Sequence, residues 1–374
     1  MTVRPLTLDR LVVADLRNLS GVTLDPGRVN VISGNNGQGK TSVLEGIYLL
    51  ATTKSFRTAR LSDLVRHGHK IASVKGTFTE HWTSAPIERK QSVGLSGGRR
   101  TVRLDQEPPS SMSHYATRSP VVVFDPQQMT LSTGPASERR TLLDRVTLFT
   151  QPEISGHRGR YNRALKERSR LLSLRWPHLD PCPELDVYES LLAEHGAAIT
   201  RGRTQACNQL AESMKEAFDD IAAPDLYLEV SYAPGGTDDR EAAARMLRDA
   251  RRVDAQRKRT GFGPHRDDLT FELDGHSARV VASQGQHRAI TLALKLAELR
   301  CIATSRGVQP ILLLDDVSSE LDADRSAALF NHLRRTQSQI FLTTTRRELI
   351  VTAPDADRRD YRIEGGEIAV VSSV

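Results

Sequence analysis

The chain has 374 residues, enough for about two domains with a sizeable core, and its 38% hydrophobic, 26% charged and 5% aromatic content is that of an ordinary soluble protein. Lysine and arginine number 52 against 46 aspartate and glutamate, a net +6 that suits a polyanionic partner without requiring one. No run of 18 apolar residues occurs, Asp9 and Arg10 stand where a signal peptide needs an apolar region, and Cys182, Cys207 and Cys301 show neither metal-ligand nor disulfide spacing, so a cytoplasmic chain without a transmembrane helix is expected.

The first third reads as β-rich. "LTLDRLVV", "RVNVISG", "KIASVKGTFTEHW", "IERKQSVGLS" and "RRTVRLD" are short, partly alternating runs separated by turn residues. Between two of them lies "SGNNGQGKTSV", residues 33–43, after an apolar run and before the helical pattern that starts at Val43. Gly34, Asn35, Asn36, Gly37, Gln38, Gly39, Lys40 and Thr41 fit the phosphate-binding loop, G-x-x-x-x-G-K-T. The glycines let backbone N–H groups turn inward, and the helix N-terminus behind them adds unsatisfied N–H groups and a positive dipole end. Lys40 is placed to reach the β- and γ-phosphates of a nucleotide, and Thr41 to ligate Mg²⁺. A glycine-rich turn capping a helix is the bland reading of the same residues.

"SPVVVFDP", residues 119–126, is a continuous apolar run, as for a buried strand. From about Ala136 to Ala223 the spacing becomes helical, with a proline-broken connection, "RWPHLDPCPELD". "DLYLEVSY" predicts a strand, and residues 239–259 a helix. This helical block sits between two β-containing ends, so the ends are expected to close one domain: residues 1–130 with 305–374 as an ATP-binding lobe, and 131–304 as a mainly helical one.

The C-terminal part narrows the choice among phosphate-loop proteins. "ILLLDD", residues 311–316, is an apolar strand ending in two carboxylates, the first of them, Asp315, 275 positions after Lys40. It has the form of a Walker B strand, in which Asp315 supports Mg²⁺ with Thr41 and Asp316 orients or deprotonates the attacking water. Upstream, Ser283, Gln284, Gly285 and Gln286 open an amphipathic helical pattern, and resemble the ABC signature that faces a γ-phosphate; a capped helix start is the alternative. Ser319-Glu320-Leu321-Asp322, after the Walker B strand, resembles a D-loop.

End to end, the chain resembles the RecF family of bacterial recombination-repair ATPases. The matching stretches include "LRNLSGVTL" (16–24), residues 34–68 with "SFRT", "GPASERRTLLDR" (134–145), "GPHRDDL" (263–269), "ASQGQHR" (282–288) and "LLLDDVSSELD" (312–322). The resemblance implies an α/β fold: an ABC-type head, similar to SMC heads, with a mixed β-sheet lobe and a mainly helical lobe in place of a long coiled coil. It implies ATP and Mg²⁺ as ligands, ATP-dependent homodimers on double-stranded or gapped DNA, slow hydrolysis as a switch, and cooperation with RecR and RecO in placing a recombinase. It places Arg57 where SMC-like heads carry an arginine that contacts phosphate or DNA, and Gln127 or Gln128 at a Q-loop. Thr344 or Thr345 stands where transporter ATPases keep a switch histidine, and Ser318 where an aromatic is usual. His265, Arg266 and Asp267 belong to a family hallmark to which no role is assigned, a structural ion pair being an equal reading.

Arg160, Arg163, Lys166 and Arg170 follow helical spacing along one face of residues 158–175, with Tyr161, Leu165 and Leu172 on the other. They are candidates for sequence-independent DNA contact, because no zinc-finger, helix-turn-helix or RRM pattern occurs; a solvated face with pairs through Glu167 is the alternative. Three other functions compete. The ATPase subunit of an ABC transporter is opposed by the 243 positions from Lys40 to Ser283 and by the missing histidine. A small-molecule kinase needs no signature motif. A scaffold that binds ATP without turnover differs only by assay.

Overall fold

The computed structural model describes residues 3–82, 85–126, 131–221, 226–316, 337–347, 350 and 357–371. The chain divides into two units, Met1–Thr130 with Ile302–Val374, and Leu131–Cys301.

The first unit begins with strands β1 (Leu6–Leu16), β2 (Leu19–Leu24) and β3 (Val29–Ser33), then helix α1 (Lys40–Thr52). Strands β4 (Ile71–Glu80), β5 (Ile87–Ser96) and β6 (Arg99–Leu104), the short helix α2 (Met112–Ala116) and strand β7 (Val121–Phe124) follow. The second unit contains α3 (Ala136–Thr150), α4 (Ser155–Arg175), α5 (Pro183–Ile221), β8 (Leu228–Ala233), α6 (Arg240–Asp249) and α7 (Arg251–Arg257). It continues with β9 (Asp268–Leu273), β10 (His276–Ser277), α8 (Ala278–Val281) and the greater part of α9 (Gln284–Arg306), whose residues from Ile302 on count with the first unit. The chain then returns to the first unit through β11 (Ile311–Leu314), β12 (Ile340–Thr344), β13 (Arg358–Glu364) and β14 (Glu367–Val371).

Two sheets make the first unit. The order β2-β1-β4-β5-β6 is antiparallel throughout, and its strands alternate buried and exposed residues because one face meets the core. The second sheet runs β14-β13-β3-β12-β11-β7. Its five strands from β13 to β7 are parallel, and β3, β7, β11 and β12 are almost wholly buried, which explains their unbroken apolar runs. Helix α1 packs on strands of both sheets and is buried on nearly every side, so it reads apolar all round. The carboxyl ends of β3, β12 and β11 share one edge, the place where an open parallel sheet puts its ligand.

In the second unit α4 and α5 pack side by side, burying Tyr161, Ala164, Leu171 and Leu172 of α4. The 39-residue α5 also contacts α3, α6 and β8, and among the described residues the helical part forms no extended coiled coil. The helix expected over 239–259 is two, broken at Ala250, and the break delivers Arg251 to the buried carboxylate of Glu189 at 2.7 Å and to Asp186 at 2.6 Å. Helix α9 departs from its amphipathic reading. Residues Ala289 to Leu299 are all buried, and the polar members Lys295 and Glu298 are accommodated by pairing with each other at 3.0 Å, Glu298 also with Arg145 at 2.6 Å. Strands β9, β13 and β14 are among those that the runs described above do not predict. Among the described residues no helix is long and apolar enough to cross a membrane.

Candidate nucleotide-binding site

Residues 34–41 leave the buried end of β3 and enter α1. Two glycines there are required by geometry. A Cβ on Gly34 would lie 2.5 Å from the Ile363 carbonyl oxygen, and Gly39 caps α1 with φ +117°, a conformation side chains disfavour. The loop is also held from outside. Asn18, in the turn between β1 and β2, donates to the Gly37 carbonyl at 3.1 Å and accepts from the Ser42 hydroxyl at 2.8 Å. Gln38 takes the N–H groups of Gly365 and Gly366 at 2.5 and 3.1 Å, tying the loop to the turn between β13 and β14. Asn35, Asn36 and Gly37 are left exposed at its crest.

Lys40 is buried, and its ammonium donates to the carbonyls of Gly34 at 2.7 Å and Asn35 at 3.1 Å. Burial lowers its pKa, opposed by the nearby charges of Asp316 and Asp315. The Thr41 hydroxyl donates to Asp315 Oδ1 at 2.9 Å, joining residues 274 positions apart. Burial raises the Asp315 pKa, while hydrogen bonds from Thr343 and Thr41 and the charge of Arg57 pull it back. Asp316 has φ +47° and donates its backbone N–H to the Thr343 hydroxyl at 2.9 Å. A hydroxyl and a carboxylate side by side at a helix N-terminus are the hard oxygen donors that Mg²⁺ takes, so these residues fit that ion.

Arg57 lies 3.7 Å from the fully buried carboxylate of Glu45, on α1. Glu45 is chiefly the partner of Arg17, whose guanidinium bonds both its oxygens at 2.8 and 2.9 Å, and it also accepts from Ser55. The "SFRT" stretch is therefore clamped onto the helix that carries the phosphate loop. Gln127 and Gln128, Ser318 and the D-loop residues Ser319 to Asp322 lie outside the described residues.

In the second unit Ser283 and Gln286 form a reciprocal cap at the start of α9. The Ser283 N–H donates to the Gln286 side-chain oxygen at 2.7 Å, and the Gln286 N–H to the Ser283 hydroxyl at 3.2 Å. That cap uses the hydroxyl as acceptor, which leaves its own proton to donate. Gly285 lies in the same first turn, and Ser283 is exposed.

The family model described as "RecF/RecN/SMC N terminal domain" matches residues 7–363. The chain is 38% identical to the DNA replication and repair protein RecF of Anaeromyxobacter sp. (strain Fw109-5), over 97% of this chain and 99% of that one. It is also 38% identical to the protein of that name from Myxococcus xanthus (strain DK1622), over 96% of each. The chain belongs to the RecF family. Among solved structures it is similar to the recombination mediator protein RecF-ATPrS in the RecFOR pathway, 27% identical with TM-score 0.88, over 99% of this chain and 100% of that one. The Smc head domain of Pyrococcus furiosus, at 16% identity and TM-score 0.56 over 98% and 96% of the two chains, shares the fold.

In this RecF-family chain Arg160, Arg163, Lys166 and Arg170 are all exposed on α4, and Arg170 pairs with Glu167 at 2.8 Å. Arg168, between them, is fully buried against Glu189 and Asp254 at 3.0 and 2.7 Å. The RecF hallmark at 263–269 is largely interior. Asp267 accepts Arg203 at 2.7 Å, the Gly235 N–H at 2.8 Å and the Tyr232 hydroxyl. His265 bonds Tyr161 and the Thr260 carbonyl at 2.8 and 2.9 Å, whereas Arg266 is exposed. Of the hallmark's two readings, these contacts favour the structural one for Asp267. Sequence reasoning passed over Asn18, Glu45 and Thr343. Each serves the site through partners distant in the chain, so no local pattern announces it.

Proposed function

We propose that this chain is an ATP-hydrolysing, DNA-binding switch of recombinational repair. The carrying observation is the 2.9 Å bond between Thr41 and Asp315, which brings the phosphate loop and the paired carboxylates to one edge of the sheet. Residues 1–130 and 305–374 act as the ATP-binding lobe, and 131–304 as the helical lobe bearing the signature. Lys40 binds the β- and γ-phosphates. Thr41 and Asp315 hold the divalent cation that accompanies ATP and that screens phosphate charge when bound. Asp316 accepts a proton from water as the water oxygen bonds to the γ-phosphorus and the bond to ADP breaks. Aspartate is one methylene shorter than the glutamate of fast ABC ATPases, so turnover is slow. Arg57 contacts phosphate or DNA, and Gln127 serves as the Q-loop.

Ser283, Gly285 and Gln286 present a capped helix N-terminus, which suits a γ-phosphate. In ABC-type folds that motif completes the site of a second copy, so ATP favours a head-to-tail homodimer with two shared sites. Duplex or gapped DNA is held through its phosphates by Arg160, Arg163, Lys166 and Arg170. The relatives' name and the RecFOR pathway of the solved neighbours support cooperation with RecO and RecR, a role that belongs in the cytoplasm. The deciding experiment measures ATP hydrolysis with and without gapped duplex. Hydrolysis raised by DNA is expected; wild-type protein that neither binds ATP nor shifts DNA would refute the reading.

A further inference from the structure

We propose that Thr343 is the residue that positions both carboxylates of the nucleotide site. This inference rests on the ATPase reading above. Strand register brings it there: β11 pairs with β12 through Leu314 and Leu342, so the next residue of each strand, Asp315 and Thr343, meet at the carboxyl edge. The Thr343 side chain is buried, and a hydroxyl has one proton to give. That proton goes to Asp315 Oδ1, 2.8 Å away. The Thr343 hydroxyl oxygen in turn accepts the backbone N–H of Asp316 at 2.9 Å. One hydroxyl thus holds the proposed metal ligand by its side chain and the proposed base by its main chain.

Each of these bonds has a separate consequence. Asp315 Oδ1 takes protons from both Thr41 and Thr343, which uses its two lone pairs and turns the carboxylate's remaining capacity to Oδ2. Asp316 stands at φ +47°, a left-handed backbone uncommon for a side-chain-bearing residue. Its N–H bond to Thr343 holds the residue in that conformation, and so sets where its carboxylate points. Thr344, the last residue of β12, makes neither bond; its Oγ1 accepts the Arg346 N–H at 3.0 Å.

The test compares wild type, Thr343→Val and Thr343→Ser. Valine keeps the shape and removes the hydroxyl; serine restores it. Binding of a fluorescent ATP analogue is titrated with Mg²⁺, hydrolysis is followed in parallel, and melting temperatures verify folding. Thr343→Val is expected to raise the Mg²⁺ needed for half-maximal binding, and to lower turnover, by about 10–100-fold, the usual loss when an outer partner of a metal ligand is removed. Binding of the analogue in EDTA should be unchanged, and Thr343→Ser should lie near wild type. If the valine variant does not fold, Thr343→Ala is read in the same way. A hydroxyl-free variant with wild-type Mg²⁺ dependence and turnover overturns the role of Thr343 alone. Wild-type protein without Mg²⁺-dependent nucleotide binding overturns the ATPase reading together with it.

Discussion

Arg203 reaches Asp267 at 2.7 Å in the interior of the second unit, where Asp267 is fully buried. Asp267 also accepts the Gly235 N–H and the Tyr232 hydroxyl, so its removal takes a partner from three donors, although Arg203 keeps Asp144 at 2.7 Å. Breaking a buried pair by deleting one partner costs about 3–5 kcal/mol. Asp267→Ala is therefore expected to lose about that much stability in urea unfolding, with the phosphate loop untouched. A variant that unfolds like wild type yet loses DNA binding would make the hallmark a contact surface.

Lys40→Ala should abolish productive ATP binding, because the charge on the β- and γ-phosphates goes unanswered. Asp316→Asn should bind ATP normally and stop turnover, since an amide cannot accept the proton. Equilibrium binding and phosphate release separate the two. Wild-type turnover by Asp316→Asn would remove that residue from the chemistry.

Duplex affinity should fall steeply with salt, with a log–log slope of about −0.9 per phosphate contact, and vary little with sequence. Neutralising Arg160, Arg163 and Arg170 together should flatten the slope in a gel-shift series. An unchanged slope moves the DNA surface off α4.

Lys40→Ala spoils one chain's loop and Ser283→Arg its signature, so each variant alone should be inactive. A mixed dimer keeps one intact site, and mixing should restore some hydrolysis. Light scattering of Asp316→Asn protein with ATP reads assembly directly. A monomer at every concentration, with wild-type turnover strictly first order in protein, rules out the shared site.

The second unit should also be sensitive to mild acid. Burial lowers the pKa of His195, His265 and His287 below the ordinary value of 6.5. His265 illustrates the cost. Its Nε2 faces the Thr260 carbonyl and must carry the proton, leaving Nδ1 to accept from Tyr161. The unfolded chain binds protons on these side chains at a higher pH than the folded one, so stability is present above about pH 6.5 and is lost as pH falls below it. The melting temperature should drop between pH 7.5 and 5.5, and less so in His265→Gln. A flat profile contradicts the assignment.

Much of this protein is legible in the chain itself. The phosphate loop is local: glycine spacing, a lysine and a threonine between strand and helix encode their own backbone geometry. The edge positions of β11 and the cap at Ser283 are local too, since period and capping act within a few residues. Family membership follows from such stretches kept in order. Tertiary structure decided what depends on pairing across the chain. Strand register, not proximity in sequence, set Thr343 opposite Asp315. Packing turned α9 from an apparent amphipath into a buried helix, because the ion pairs that let Lys295 and Glu298 go inside need Arg145, more than a hundred residues upstream. It divided the charges of α4 as well, leaving Arg163 in solvent and sealing Arg168 against Glu189 and Asp254, since a helix period shows that two residues differ in direction but not which direction the interior lies.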